Sequence, residues 1–365
     1  MLFRDDAAAQ AAARTSPLAA MLHRSRPLSL DLPALRSALS SAPLEQSGAA
    51  PLTLALPLPD GSTGRFAVYE APVMAPALAA RHPEIRTYAG RGLDDATATV
   101  RLDMMPAGFH AQVLSATAGP VYIEPVSTTD TEHYLGLRLA DARPRQAGSG
   151  CVGAAYPDGN SAPTATARRG VSGASQQARQ LPVGSQLRTL RLAVATTDEY
   201  TAVYGGPALA LGGVVRTINR VTGVYERELA VRLELIPNED RLIAANSSAS
   251  PDAFTNNNNY NTALVENEIL LDETIGDGNY DLGHVFGTLS ASYAYIGVAC
   301  TNRKARGASG FSVPTGDIFD IRTVAHEMGH QLGADHSFNS ASAGNCTAGN
   351  RSADSAYEPG SGSTI

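Results

Sequence analysis

Several residue types are scarce in this chain, and each scarcity excludes something. Tryptophan is absent, lysine occurs once, at Lys304, and charged residues make up only 17 % of the 365 residues. No apolar run approaches the roughly 18 residues of a membrane helix, so the sequence predicts no membrane span. The formal charge of −7 argues against nucleic-acid binding, because proteins of that class concentrate positive charge. The 43 % of apolar residues favours a globular chain over a disordered one.

Cysteine is also scarce, with Cys151, Cys300 and Cys346 as its three occurrences. Since three cysteines cannot all pair within one chain, the odd count indicates a free thiol, a metal ligand or a partner elsewhere. Cysteine content therefore leaves the redox compartment open.

Glycine (34) and proline (22) are abundant, which favours a structure rich in loops and strands. Residues 1–50 are rich in alanine and serine and predict at most a weak helix or an ordered tail. From Pro51 onward, short apolar or alternating runs are separated by turn signals, which predicts an antiparallel meander. The runs are Leu52–Leu58, Gly64–Tyr69, Thr97–Met104, Gly108–Leu114 and Gly119–Pro125.

The segment 141–186 has almost no large apolar residue and consists mainly of small and polar ones. It cannot bury apolar surface, so we interpret it as a linker or a loosely held strap. Arg168 and Arg169 within it have two interpretations, a processing site or paired arginines in a solvated loop.

Strands and helices alternate after the linker, which predicts a sheet covered by helices. The predicted strands are Leu187–Thr196, Val231–Pro237, Tyr280–Phe286 and Tyr293–Val298. Two helices are predicted from apolar residues at helical spacing. Their apolar faces are Val214, Val215, Ile218, Val221 and Tyr225 for the first and Leu264, Val265, Ile269 and Leu270 for the second.

One short segment carries the chemistry: His326, Glu327, His330, Gly333 and His336 form the pattern H-E-x-x-H-x-x-G-x-x-H. Residues four apart share a helix face, so His326 and His330 can converge on one metal ion. Glycine at 333 lets the chain leave the helix through a left-handed conformation and return His336 as a third ligand. Three protein ligands leave a fourth position for water, which is the catalytic arrangement of zinc.

The alternative is an amphipathic helix with exposed histidines. Three of the chain's eight histidines fall within eleven residues, all at ligand spacing, so we interpret the segment as a Zn²⁺ site. The five other histidines, among them His284, are scattered and are interpreted as structural or surface residues. The isolated aspartates Asp320 and Asp335 lie close to the zinc helix. Either would orient a ligand histidine or, more simply, cap a helix or face solvent.

The segment Ala325–Asn339, AHEMGHQLGADHSFN, resembles the metzincin metallopeptidases, and most of all the bacterial reprolysin-like peptidases related to adamalysins. The resemblance includes GVACTNRKARG (297–307), GDIFDI (316–321) and the tail from 349 to 365. Upstream, FAVYEAPVMAP (66–76) and HPEIRTYAG (82–90) resemble the propeptide that precedes such catalytic domains.

Two departures from the family pattern stand out. Ser337 follows the third histidine where animal adamalysins have aspartate, and no methionine lies beyond Met328 although metzincins carry one in a turn beneath the zinc. We therefore expect a catalytic domain truncated before this Met-turn, and an N-terminus that lacks its export signal.

The resemblance also suggests a role for Cys151, because related peptidases hold themselves inactive with a propeptide thiolate in the fourth zinc position. The alternative is a loop cysteine that is free or disulfide-bonded. Cys300 and Cys346 flank the zinc helix. Three states are open for them: a disulfide with each other, disulfides with partners in a missing tail, or thiols.

These observations predict an α+β protein with a zincin-like catalytic domain, in which a twisted mixed sheet carries the zinc helix, preceded by a β-rich propeptide domain. The predicted regions are a propeptide (1–140, β-rich from about 51), a linker with the cysteine switch (141–186) and the catalytic domain (187–365). We expect a monomeric, secreted zinc endopeptidase made as a zymogen, with Glu327 as general base and a protein or peptide as substrate. Tyr293–Val298 is predicted as the edge strand to which that peptide adds. The alternative is a protein that binds zinc without catalysis.

Overall fold

The computed structural model describes residues 2–143, 186–245, 253–255, 259–289 and 291–334, and the backbone of residues 151–155. Two sheets and several helices make up these residues, so the predicted mixed α+β class is confirmed. Among the described helices, none is long and apolar enough to cross a membrane.

The N-terminal half forms a nine-stranded antiparallel sheet with the strand order β1-β2-β9-β8-β7-β6-β5-β4-β3. The five predicted runs lie in β3, β4, β6, β7 and β8, so the predicted meander is confirmed, while β5 and β9 were not predicted. The strands are β1 (Phe3–Arg4), β2 (Arg26–Leu30), β3 (Leu52–Pro57), β4 (Thr63–Glu70), β5 (Arg86–Gly92), β6 (Thr99–Met105), β7 (Gly108–Ser115), β8 (Gly119–Pro125) and β9 (His133–Arg138).

The prediction of at most a weak helix or tail for residues 1–50 was wrong. This segment supplies β1 and β2 together with the helices α1 (Ala7–Thr15), α2 (Pro17–Ala20) and α3 (Leu32–Leu39). Asp6 caps α1 by accepting a hydrogen bond from the backbone N–H of Ala9. Leu35 and Leu39 of α3 are buried against the sheet. This long-range packing stabilises a helix that its composition alone favours only weakly. A fourth helix, α4 (Pro76–Arg81), follows β4.

The C-terminal half forms a six-stranded sheet with the strand order β10-β14-β15-β13-β11-β12. Its pairs are parallel except for β14 with β15. The strands are β10 (Cys151–Ala155), β11 (Arg188–Thr196), β12 (Val231–Leu235), β13 (Leu282–Gly287), β14 (Ser292–Tyr295) and β15 (Gly307–Gly310). The helices are α5 (Asp198–Tyr204), α6 (Pro207–Leu229), α7 (Tyr260–Thr274), α8 (Asp317–Phe319) and α9 (His326–Gln331).

The two predicted helices of this half correspond to α6 and α7. The apolar face predicted for α6 is buried in the main core, as expected. The face predicted for α7 was wrong in part, because Val265 and Ile269 are 41 % and 50 % exposed. The helix instead turns Leu264, Asn267 and Leu271 inward, and Asn267 Nδ2 donates a hydrogen bond to the carbonyl of Ala305. A buried asparagine with a hydrogen-bonded amide thus occupies a core position of α7, which a pattern of apolar residues does not predict.

Candidate metal centre

The chain enters the zinc-motif helix through an unusual piece of backbone. After α8, residues Asp320–Ala325 form a π-helical segment that continues directly into α9. Such segments are rare and frequently occur at functional sites. Val324, Ala325 and Met328 are fully buried in the main core, so packing holds both the segment and the first turn of α9.

His326 and His330 lie on one face of α9, as the spacing predicts. Their Nε2 atoms are 3.0 Å apart, and the ring planes are nearly perpendicular. Two nitrogen ligands at the normal distance from a tetrahedral zinc ion are about 3.3 Å apart. His330 Nδ1 lies 2.8 Å from the carbonyl oxygen of Ala334, to which it donates in the tautomer that leaves Nε2 unprotonated. The two imidazoles therefore fit a zinc ion.

Glu327 lies between these histidines in sequence and is fully buried. The neighbouring Tyr225 of α6 donates a 2.6 Å hydrogen bond from its hydroxyl to the carbonyl of Ala325. Burial raises the pKa of Tyr225 well above its usual value, and the charge of Glu327 raises it further. Tyr225 therefore stays protonated next to the carboxylate and keeps its bond to the backbone that precedes His326.

The helix ends where the motif predicts. Gly333 has φ of +107°, and its N–H donates to the carbonyl of His330 at 2.8 Å. This confirms the predicted exit through a left-handed conformation, which glycine adopts at little cost. The third predicted ligand, His336, lies outside the described residues, as does Asp335. Within the described ranges, no group of three His, Cys, Asp or Glu side chains is placed to hold a metal ion.

No sequence pattern predicts the contacts that fix the far side of α9. Gln331 Oε1 lies 2.7 Å from His284 Nδ1, while Gln331 Nε2 donates to the carbonyls of Gly283 and Lys304. Since the amide nitrogen serves those carbonyls, the amide oxygen accepts from His284 Nδ1–H, and His284 Nε2 then accepts from the hydroxyl of Ser309 at 2.8 Å.

Burial of this imidazole lowers the pKa of His284 to about 4, so it is neutral near pH 7. A Cβ at Gly307 would lie 2.2 Å from Gln331 Oε1, so a glycine is required there. His284 is a structural residue, as interpreted, but no signal in the sequence pairs it with Gln331.

One of the roles considered for Asp320, a position facing solvent, is wrong. It is fully buried rather than solvated, and it accepts a 2.7 Å hydrogen bond from Thr217 Oγ1. Its other oxygen accepts from Arg220 Nη1 at 2.9 Å, which makes it half of a buried ion pair.

The strand β14 corresponds to the predicted edge strand but is shorter than predicted, and its outer side is not open. Residues of β10 pair with it in parallel, with Cys151 opposite Ser292 and Ala155 opposite Tyr295. The side chain of Cys151 lies outside the described residues, and so does Cys346. Cys300 is an exposed thiol with no disulfide among the described residues.

Comparison with known proteins agrees with this geometry. The family described as "Metallo-peptidase family M12B Reprolysin-like" matches residues 186–365, which include the strands β11–β15 and the zinc-motif helix. No curated protein matched the chain. Through residues 186–365, the chain belongs to the reprolysin-like metallopeptidases of family M12B.

Proposed function

We propose that the protein is a zinc-dependent endopeptidase whose metal ligands are His326, His330 and His336 and whose general base is Glu327. The observation that carries the proposal is the 3.0 Å approach of the two imidazole Nε2 atoms on α9, inside a segment that belongs to a metallopeptidase family. The donor set is also suitable, because neutral imidazole nitrogens are common zinc ligands.

The role of each residue follows from its chemistry. Bound zinc supplies a Lewis acid that polarises the scissile carbonyl and lowers the pKa of the attacking water. A carboxylate oxygen of Glu327 takes the proton of that water and later delivers it to the leaving amine. His330 keeps the tautomer that presents Nε2, because its Nδ1 is bonded to the carbonyl of Ala334. Gln331 and Tyr225 hold the helix at its two ends.

We further propose that the protein is made as a secreted, monomeric zymogen that acts on protein or peptide substrates. The pairing of β10 with β14 supports the latent form of this proposal, since an extended peptide substrate would bind by adding a strand to that same edge. The chain's own residues 151–155 therefore compete with substrate. Cys151 is the first residue of this strand, and we assign its thiolate to the metal in the latent form.

The test is Glu327→Ala in the full-length protein after the chain is cut before residue 186. We expect zinc content to remain near one equivalent, because Glu327 is not a ligand, and peptide cleavage to fall by at least about 100-fold, because the general base is lost. Zinc is measured by metal analysis, and cleavage with a broad library of fluorogenic peptides.

The matched control is Glu228→Ala, which removes a carboxylate from the exposed end of α6 and should leave both readouts unchanged. Retained cleavage in Glu327→Ala would refute the assigned role. If the unmodified protein binds zinc but cleaves no peptide in the library, the protein binds zinc without catalysis and the proposed activity is wrong.

A further inference from the structure

The two halves of the molecule share one apolar core. Val73, Met74, Leu78, Ile85 and Met105 of the N-terminal half are at most 4 % exposed, and they lie in the cluster that also contains the core of α6 and the first turn of α9. Apolar surface that two halves bury against each other resembles the core of a permanent complex more than the polar contact of a transient one.

The backbone continues this contact at the edge of the C-terminal sheet. The N–H of Leu235 donates to the carbonyl of Val73 at 2.7 Å, and the N–H of Ala75 donates to the carbonyl of Leu235 at 2.9 Å. Met74 thereby forms a parallel bridge with Leu235, the last residue of β12. Residues 73–75 thus cover polar backbone groups of β12 that separation of the halves would expose.

Buried ion pairs also connect the two halves. Arg220 of α6 is 1 % exposed and lies between Glu124 of β8 and Asp320, with ion pairs to both. Tyr122 of β8 donates a hydrogen bond from its hydroxyl to Asp317. Such pairs are specific in geometry, and loss of one partner leaves a desolvated charge that is costly unless water replaces it.

None of these three sets of contacts involves residues 151–155. We propose that the N-terminal half remains bound to the C-terminal half as a noncovalent subunit after the chain is cut between them. The inference goes beyond the proposed function, because it assigns a lasting partner to α6 and β12 whether or not the protein cleaves peptides. Displacement of β10 from β14 and departure of the N-terminal half would then be separate events.

The test replaces Arg168 and Arg169 with the recognition sequence of a specific protease, in a Glu327→Ala background that prevents self-digestion. After complete cutting, confirmed on a denaturing gel, we expect both fragments to elute together in gel filtration at micromolar concentration and in 1 M NaCl. Salt should have little effect, because buried pairs are weakly screened. Separate elution of two folded fragments would overturn the proposal.

A point variant tests the assigned contacts. Glu124→Gln keeps the shape of the side chain but removes the charge that faces Arg220, and we expect it to raise the Kd between the cut halves by about 10- to 100-fold. The matched control is Glu132→Gln, an exposed carboxyl beside β9 that makes no ion pair among the described residues. Equal Kd values for the two variants would mean that the Glu124–Arg220 pair does not hold the halves together. The readout is a binding constant, so it is independent of peptidase activity.

Discussion

The central strands β6, β7 and β8 of the nine-stranded sheet are buried on both faces, but different elements bury the two faces. One face carries Val100, Leu102 and Phe109 and packs against α3 of its own half. The other face carries side chains that are polar or charged, and each is at most 9 % exposed: Arg101, Asp103, His110, Gln112, Tyr122 and Glu124. Much of this face is covered by α6, which belongs to the other half.

The difference shows that alternation along a strand separates two faces without saying which of them meets water. The apolar face obtains its partners from α3 and other elements of its own half. Side chains of the polar face bond to α6 and to the segment beyond it, as when Glu124 pairs with Arg220 and Tyr122 donates to Asp317. The first face therefore stabilises its own half, and the second specifies how the two halves are joined.

The largest effect is expected on the apolar face. Phe109 is fully buried with Phe3 and Tyr134 against its ring, so Phe109→Ala should lower the free energy of unfolding by about 3–5 kcal/mol. Urea unfolding followed by circular dichroism measures this, with Phe109→Leu as a milder control. A loss below about 1 kcal/mol would mean that this face is not the stabilising one.

The free energy of unfolding is expected to depend on pH through His284, whose polar contacts lie within the C-terminal half. Native His284 is neutral with its pKa near 4, whereas the unfolded chain takes up a proton below about 6.5. The contribution of His284 to the free energy of unfolding is therefore complete above pH 6.5. As the pH falls toward 4, about 3 kcal/mol of this free energy is lost.

The measurement is urea unfolding at pH 7 and pH 4.5, with a chelator present so that zinc affinity adds no pH dependence. The His284→Asn variant, which cannot titrate there, should lose less stability over this interval than the unmodified protein. Equal losses in both would show that the imidazole is not held neutral by its burial.

The smallest effect is expected where charges are solvated. Arg65 and Asp94 form a 2.6 Å ion pair on exposed side chains of the N-terminal half. Arg65→Ala should leave the melting temperature unchanged within the error of calorimetry, because exposed pairs contribute little. A clear decrease would weaken the distinction between buried pairs that join the halves and surface pairs that do not.

Local patterns predicted the elements whose determinants lie close together in sequence. The strands β3, β4, β6, β7 and β8, the helix α6 and the zinc helix all follow from alternation, helical spacing or a motif within eleven residues. The predictions failed where packing decided: for residues 1–50, for the buried face of α7 and for Asp320, which pairs with Arg220 a hundred positions away. The assignment of His336 and Cys151 stays a prediction.

By itself, the sequence determined that His326 and His330 share a helix face and that Gly333 ends this helix, because both depend on backbone geometry over a few residues. Only the tertiary structure decided that Gln331 meets His284, that β10 covers the edge of β14 and that a polar sheet face is buried. Those contacts join residues from 47 to more than 130 positions apart, and local residue patterns contain no information about which distant groups will meet.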